Sequence, residues 1–156
     1  MAGYISTTNC YLLKDDKILM LHRSPEKSRF PGFWMGPGGH QEVRESVLQA
    51  CVRELKEETG LNGTNFRLRV VATHYYPHKD QVYLVFIFLA DYAGGEPAQT
   101  NDGTLEWVDI DRVAKLDKLY PDLKVNLPVA LRDSDEVVYT SLIFNDRSEI
   151  VESHTD

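Results

Sequence analysis

The sequence lacks the features of secreted, membrane-bound and disulfide-rich proteins. It contains only two cysteines, Cys10 and Cys51, and their spacing does not match the Cys-x-x-Cys of zinc and redox sites. No run of eighteen apolar residues is present, and residues 1–6 lack the charged start and apolar block of a signal peptide. We therefore expect two buried thiols in a soluble, cytoplasmic protein with no membrane partner.

Positive charge is also scarce. The chain has 17 basic and 24 acidic residues, which gives a formal net charge of −7. This is the wrong sign for a protein that holds a nucleic-acid polymer by releasing counterions from its backbone. A small phosphorylated ligand is compatible with the charge, provided that divalent cations separate protein carboxylates from phosphate.

The order of apolar and polar segments predicts one α/β (α+β) domain over residues 1–156. With 156 residues and 42% hydrophobic content, the chain is long enough to bury a core. A hairpin is predicted at 4–13 and 18–21, followed by a long polar loop at 23–33. Other predicted strands lie at 66–75, 82–89, 104–108 and 137–144, and short helices at 111–116 and 126–132.

A longer helix is predicted over residues 46–59. Ser46 is a favourable N-cap, Gln49 stands where a capping box needs it, and Gly60 is placed to end the helix. A wheel of this helix predicts a single apolar stripe that packs on a sheet. Its members are Val47, Leu48, Cys51, Val52 and Leu55.

Three glutamates crowd one flank of that stripe. Glu54, Glu57 and Glu58 are spaced so that they repel each other, and they oppose the helix dipole at its C-terminal end. One interpretation is a solvated face that Arg53 and Lys56 neutralise in part. The other is a magnesium site, because Mg²⁺ prefers carboxylate oxygens and bridges them to substrate phosphates.

The residues around these acids resemble a known motif. The pattern Gly39-x5-Glu45-x7-Arg53-Glu54-Leu55-x-Glu57-Glu58-x-Gly60-Leu61 is similar to the Nudix box at all nine specified positions. The resemblance implies a Nudix fold, which is an α/β/α sandwich around a mixed β-sheet, with residues 39–61 as its loop-helix-loop catalytic motif. It also implies a hydrolase that cleaves diphosphate linkages.

By the same resemblance, several residues receive roles. Glu54, Glu57, Glu58 and the carbonyl of Gly38 would bind catalytic Mg²⁺, for which Mn²⁺ is expected to substitute. Glu45 and Arg53 would be mainly structural, with Arg53 orienting the acids. A further acid often comes from a distant loop in this family, and the candidates are Asp102, which we prefer, and Glu106.

Two of these assignments stay open at the level of sequence. Asp102 could equally be the first residue of a simple Asp-Gly turn. The general base could be Glu57, Glu58 or Asp102, since each is an acid that can take a proton from water.

Substrate contacts are expected outside the motif. Arg23, Arg29 and Lys27 are candidates for binding phosphate. Phe30, Phe33 and Trp34 could stack on a base or pack in the core. The segment Asn126-Leu127-Pro128-Val129 resembles the Asn-x-Pro-Val of MutT-type enzymes, in which the Asn recognises the base. For His74 and His78 we expect a surface or substrate-edge role rather than a zinc site.

These interpretations predict hydrolysis of an oxidised purine nucleoside triphosphate, such as 8-oxo-dGTP, to the monophosphate and pyrophosphate. ADP-ribose, other nucleotide sugars and dinucleoside polyphosphates are the alternative substrates, because Tyr75-Tyr76-Pro77 resembles segments of the enzymes that act on them. A non-hydrolytic nucleotide sensor is a different class, but such modules usually lose the acids that this motif keeps. The protein would act as a monomer or homodimer.

Overall fold

The computed structural model describes residues 2–156, whose strands form one mixed sheet. Its strands are β1 (Gly3–Lys14), β2 (Lys17–Arg23), β3 (Trp34–Met35), β4 (Gly38–His40), β5 (Leu61–Tyr76), β6 (Gln81–Gly95), β7 (Gly103–Asp109), β8 (Val138–Phe144) and β9 (Ile150–Thr155). The helices are α1 (Val47–Thr59), α2 (Ile110–Val113) and α3 (Leu123–Ala130), and a 3-10 turn spans Pro77–Lys79. The main path through the sheet runs β3-β2-β1-β6-β5-β8-β9.

The sheet forks at strand β1, because one edge of this strand pairs with two different strands. On one edge it runs parallel to β6 along most of its length. On its other edge it pairs with β4 near Thr8 and with β2 near Leu13. Strand β2 in turn pairs with β3 and with β7.

The predicted strands are confirmed in position but not always in length. The hairpin β1–β2 forms as expected, and β5 and β6 extend beyond 66–75 and 82–89 to 16 and 15 residues. Their ends carry polar residues that still form ladder pairs, as Thr64 does with Asp91. Strand β9 was not predicted, because nearly all its residues are exposed and it shows no apolar alternation.

Helices cover both faces of the sheet, which confirms the predicted α/β/α sandwich. Helix α1 packs against one apolar cluster that includes Leu12, Leu19 and Phe88. Helix α3 packs on the opposite face, against a larger cluster that includes Ile87 and Val70. Both cysteines are buried free thiols, as expected. Among residues 2–156 no helix has the length and apolarity needed to cross a membrane.

Helix α1 begins and ends as predicted, but it buries a different face. The capping box between Ser46 and Gln49 is present, and Gly60 ends the helix in the left-handed conformation. Leu48 and Val52 are each 43% exposed, so their assignment to the buried stripe is wrong. Compared with the prediction, the helix is rotated about its axis toward the side that carries Glu54 and Glu58. Its buried residues are Ala50, Cys51, Leu55 and Thr59.

Candidate active site

A cavity of about 670 Å³ lies beside the fork in β1. We call one part of its lining the acidic wall, which consists of Gly38, Gly39, Glu54 and Glu58. We call another part the aromatic end, which consists of Tyr11, His74, Tyr76, Tyr83, Tyr120 and Asp122. Arg23, Arg29 and Phe30 line the same cavity. One cavity thus joins the carboxylates of α1 to a group of rings.

The acidic wall is formed by the pairing of β4 with β1 against helix α1. The N–H of Gly38 donates to Glu58 Oε2 at 3.0 Å. A side chain at Gly39 would meet the carboxylate of Glu54 and push it aside, so glycine at this position leaves room for that carboxylate. Burial, and then the charges of Glu54, Asp102 and Glu57, raise the pKa of Glu58 to about 7. Burial and the neighbouring acids therefore both disfavour the charged form of Glu58.

Arg53 connects the acids of the motif. Its guanidinium donates to Glu45 at 2.6 and 3.1 Å, to Glu54 at 2.9 Å and to Glu57 at 3.1 Å. It also donates to the carbonyl of His40 at 3.0 Å. Hydrogen bonds to Glu45 and Glu54 raise the pKa of Arg53, and the bond from Arg53 lowers the pKa of Glu45. This geometry is that of a residue that orients carboxylates.

The acidic wall has the donor chemistry that magnesium prefers. Among residues 2–156 no three or more His, Cys, Asp or Glu side chains are already gathered into a metal site. Glu54 and Glu58 line the cavity, whereas the side chain of Glu57 is 60% exposed and pairs with Arg53. Because Mg²⁺ commonly takes one or two carboxylates and completes its shell with water and phosphate oxygens, Glu54 and Glu58 fit it. Glu57 and the carbonyl of Gly38 are further ligand candidates.

Asp102 is not among the residues that line the cavity, and it pairs with a lysine. Its carboxylate accepts from Lys27 Nζ at 2.6 Å, and its carbonyl accepts from the N–H of Ser24 at 2.8 Å. The hydrogen bond from Lys27 lowers the pKa of Asp102. Its charge still reaches Glu58, whose pKa it helps to raise. Glu106, the other candidate, is exposed on β7.

The loop 24–33 places only some of the predicted substrate contacts at the cavity. Arg23 donates from Nε to the carbonyl of Arg29 at 2.6 Å, so the two arginines are tied together. The stacking role predicted for Phe33 and Trp34 is not supported, because neither lines the cavity. Trp34 instead stacks on His22 with ring centroids 4.1 Å apart and packs against the core. Phe33 packs on the edge of Phe30.

Asn126 does not contact the cavity, so the predicted direct recognition of a base by this residue is not supported either. It is fully buried in α3, where its Oδ1 accepts from Thr140 Oγ1 at 2.7 Å. Its amide nitrogen lies 3.4 Å from Nε2 of His74. His74 itself lines the cavity but is buried, which excludes the surface alternative. Burial lowers the pKa of His74 to about 4, so the ring is neutral near pH 7.

Asp122 is a site residue that the sequence did not reveal. It is 2% exposed, and its Oδ1 has no hydrogen-bond partner. Burial raises the pKa of Asp122 to about 7. No local sequence pattern indicates this role, because Asp122 reaches the cavity only when the start of α3 packs against β5. The four tyrosines of the aromatic end were missed for the same reason, since they come from β1, β5, β6 and the segment before α3.

Comparison with known proteins gives one consistent family. A model of the NUDIX domain matches residues 3–128. The uncharacterized Nudix hydrolase YvcI of Bacillus subtilis is 36% identical over 113 residues, which cover 70% of this chain and 68% of that protein. The crystal structure of a MutT protein from Bacillus halodurans has a TM-score of 0.85 at 28% identity and covers 97% of both chains.

Two further relatives have different named activities. The ADP-ribose pyrophosphatase of Methanocaldococcus jannaschii is 36% identical over 106 residues, covering 66% of this chain and 60% of that protein. The oxidized purine nucleoside triphosphate hydrolase of Danio rerio is 34% identical over 82 residues, covering 53% of each chain. With a family model that spans most of its length and with the acids of the motif on one helix, this chain belongs to the Nudix hydrolase family.

Proposed function

We propose that the protein hydrolyses an oxidised purine nucleoside triphosphate, of which 8-oxo-dGTP is the model, to the monophosphate and pyrophosphate. The observation that carries the proposal is the joining of the acidic wall to the aromatic end in one cavity. Such a cavity can hold a polyphosphate and a base at the same time. The named activity of the Danio rerio relative supports this choice of substrate.

The chain's own residues divide the work along the cavity. Glu54 and Glu58, with Glu57 and Gly38 beside them, would hold Mg²⁺ or Mn²⁺ against the phosphates. When bound, the metal supplies the positive charge that neutralises phosphate oxygens and acidifies a water molecule. Arg23 and Arg29 supply further charge on the polyphosphate. Glu57, Glu58 and Asp102 are the three groups that can take the proton of the attacking water.

A second substrate class has its own support. The Methanocaldococcus jannaschii relative matches more of the chain than the Danio rerio relative, and its name specifies ADP-ribose. ADP-ribose also has a base at one end of a diphosphate and would suit the same cavity. A purely sensing role has less support, because all acids of the motif are kept. We place the protein in the cytoplasm, acting on small nucleotides as a monomer or homodimer.

A substrate panel with a metal control tests the proposal. Purified protein is incubated with Mg²⁺ and 8-oxo-dGTP, dGTP, dATP, ADP-ribose or a diadenosine polyphosphate, and products are separated by chromatography. We expect the highest kcat/KM with the oxidised purine triphosphate, no turnover with EDTA, and recovery when Mg²⁺ or Mn²⁺ is restored. A preference for ADP-ribose would replace the proposed substrate. Binding without turnover of any compound would indicate a sensor.

A further inference from the structure

Strand β9 forms an open edge of the sheet. It is the last strand on the main path, and within residues 2–156 it pairs with β8 alone. The other end of the main path is closed by a loop. There the N–H of Trp34 in β3 donates to the carbonyl of Lys118, and the N–H of Tyr120 donates to the carbonyl of Trp34, both at 2.9 Å. The sheet is therefore covered at β3 and uncovered at β9.

The hydrogen bonds between β8 and β9 determine which groups of β9 face outward. The register places Thr140 opposite Thr155, so Tyr139 and Asp156 form the next opposing pair. The N–H of Asp156 donates to the carbonyl of Tyr139 at 2.9 Å, which makes this a hydrogen-bonded pair. Because hydrogen-bonded and non-hydrogen-bonded pairs alternate in an antiparallel ladder, the backbone groups of Ser153 and Thr155 point away from β8. They are free to pair with a further strand.

The sequence of β9 contains few of the residues that prevent pairing at an edge. Natural edge strands are often protected by proline or by lysine, and residues 150–155 contain neither. Three of these six residues, Ile150, Val151 and Thr155, are β-branched and favour extended structure. The one register shift lies at the start of β9, so residues 152–155 keep a regular ladder with β8. This part of the edge is fitted to accept another strand.

The charges of β9 are complementary to those of a second β9 in one antiparallel register. With a two-fold axis at Ser153, Glu152 of each copy lies opposite His154 of the other. These are non-hydrogen-bonded pairs, in which opposing side chains approach most closely. An axis at Glu152 would place two glutamates opposite each other, and an axis at His154 would place Glu152 opposite Asp156. Only the axis at Ser153 pairs each acid with a base.

Strand β7 is another long edge, since within residues 2–156 it pairs with β2 alone. Its two charged residues, Glu106 and Asp109, are both acids. A second copy of β7 would therefore bring no opposite charge to this edge. Charge complementarity favours β9 over β7 as a surface for self-association.

We propose that β9 is the contact surface of a two-fold homodimer, in which the β9 strands of two copies pair antiparallel about Ser153 and join their sheets. The N–H of Ser153 in each copy donates to the carbonyl of Ser153 in the other. Glu152 and His154 fix the register from both sides of the axis. No residue of β9 lines the cavity, so the dimer does not depend on which nucleotide the protein binds.

Two substitutions at Ser153 test the pairing of the backbones. Ser153→Pro removes the N–H that crosses the axis, and the ladder to β8 does not use this N–H, so the strand itself tolerates proline. Ser153→Ala keeps the N–H and is the matched control. In sedimentation over a concentration series we expect a reversible dimer for wild type and Ser153→Ala, and a Kd at least about 10-fold higher for Ser153→Pro. A wild-type protein that stays monomeric at every concentration would overturn the proposal.

Charge substitutions test the register and do not depend on whether the strand tolerates proline. His154→Glu and Glu152→Lys each place like charges opposite one another in a self-paired dimer, and we expect each to raise the Kd by about 10-fold. An equimolar mixture of the two variants should form a heterodimer about as tight as the wild-type dimer, because each variant supplies the charge that the other lacks. A mixture that associates no better than the separate variants, or a dimer that neither substitution weakens, would reject pairing through β9.

Discussion

The guanidinium of Arg53 and the carboxylate of Glu45 form a two-point hydrogen bond, with distances of 2.6 and 3.1 Å. The loop before α1 is thereby tied to the middle of the helix. The remaining nitrogen of Arg53 is free to hold Glu54 and Glu57 at 2.9 and 3.1 Å. Arg53 thus fixes the positions of two carboxylates relative to Gly38 and Gly39.

Replacing this planar group should disturb the acids more than the fold. Arg53→Lys keeps one positive charge, but an ammonium cannot make the two-point bond to Glu45. We expect kcat to fall by up to about 10²-fold, because small displacements of catalytic groups are costly, while the circular dichroism spectrum stays native. Arg112→Lys, at an exposed site on α2, is the control and should be silent. Wild-type kcat in Arg53→Lys would contradict the orienting role.

The glutamates of the acidic wall should matter for turnover rather than for folding. Glu58→Gln preserves the size of the side chain and an oxygen that accepts from Gly38, but removes the charge that a metal needs. We expect kcat to fall by roughly 10²-fold or more, and the same for Glu57→Gln. Steady-state kinetics at saturating Mg²⁺, with Glu136→Gln as an exposed control, checks this. Most activity remaining in both variants would refute the metal assignment.

The sequence was informative where local rules decide the structure. The capping box at Ser46 and the glycine at 60 depend on a few neighbouring residues, so the bounds of α1 were predictable. The buried face of α1 was not predictable from the sequence, because it depends on how the helix is rotated about its own axis when it packs on the sheet. Asp122 and His74 become neighbours only through the packing of α3 on β5, and no local pattern indicates that contact.

Which face of α1 is buried can be tested by comparing the stability losses of substitutions at two leucines of this helix. Leu55 is 1% exposed, whereas Leu48 is 43% exposed. We expect Leu55→Ala to lower the free energy of unfolding by about 2–5 kcal/mol, since it leaves a cavity in the core. Leu48→Ala should change it by less than about 1 kcal/mol. Urea unfolding measures both, and equal losses would mean that the predicted apolar stripe was right after all.

Asp102 could be a catalytic base, or it could only hold the loop 24–33 in place. A substitution of Lys27, its partner, distinguishes the two roles. If Asp102 only clamps the loop through its bond to Lys27, then Asp102→Asn and Lys27→Met should have the same small effect. If it also takes a proton, Asp102→Asn should lower kcat by about 10²-fold, whereas Lys27→Met should not. We expect the second pattern. Matching effects in the two variants and in the double mutant would leave only the clamp.

The dependence of stability on pH should reveal Asp122 and His74 as opposing groups. Burial raises the pKa of Asp122 from 3.8 to about 7, so the folded protein holds a proton that the unfolded chain releases, and Asp122 favours folding less as pH rises through this range. Burial lowers the pKa of His74 from 6.5 to about 4, so His74 favours folding more as pH rises from 4 to 6.5. Between pH 4 and 6.5 the two slopes have opposite signs and largely cancel.

Removing the carboxyl group of Asp122 should reveal the pH dependence of stability that His74 causes. In Asp122→Asn the contribution of His74 remains, so the free energy of unfolding should rise from pH 4 to 6.5 by roughly 1.4 kcal/mol per pH unit relative to wild type. Urea unfolding at half-unit pH steps measures this difference. Asp133→Asn, which removes an exposed carboxylate, should run parallel to wild type. A difference between Asp122→Asn and wild type that does not change with pH would mean that Asp122 titrates alike in the folded and unfolded chains, and that its carboxyl group is solvated in the aromatic end.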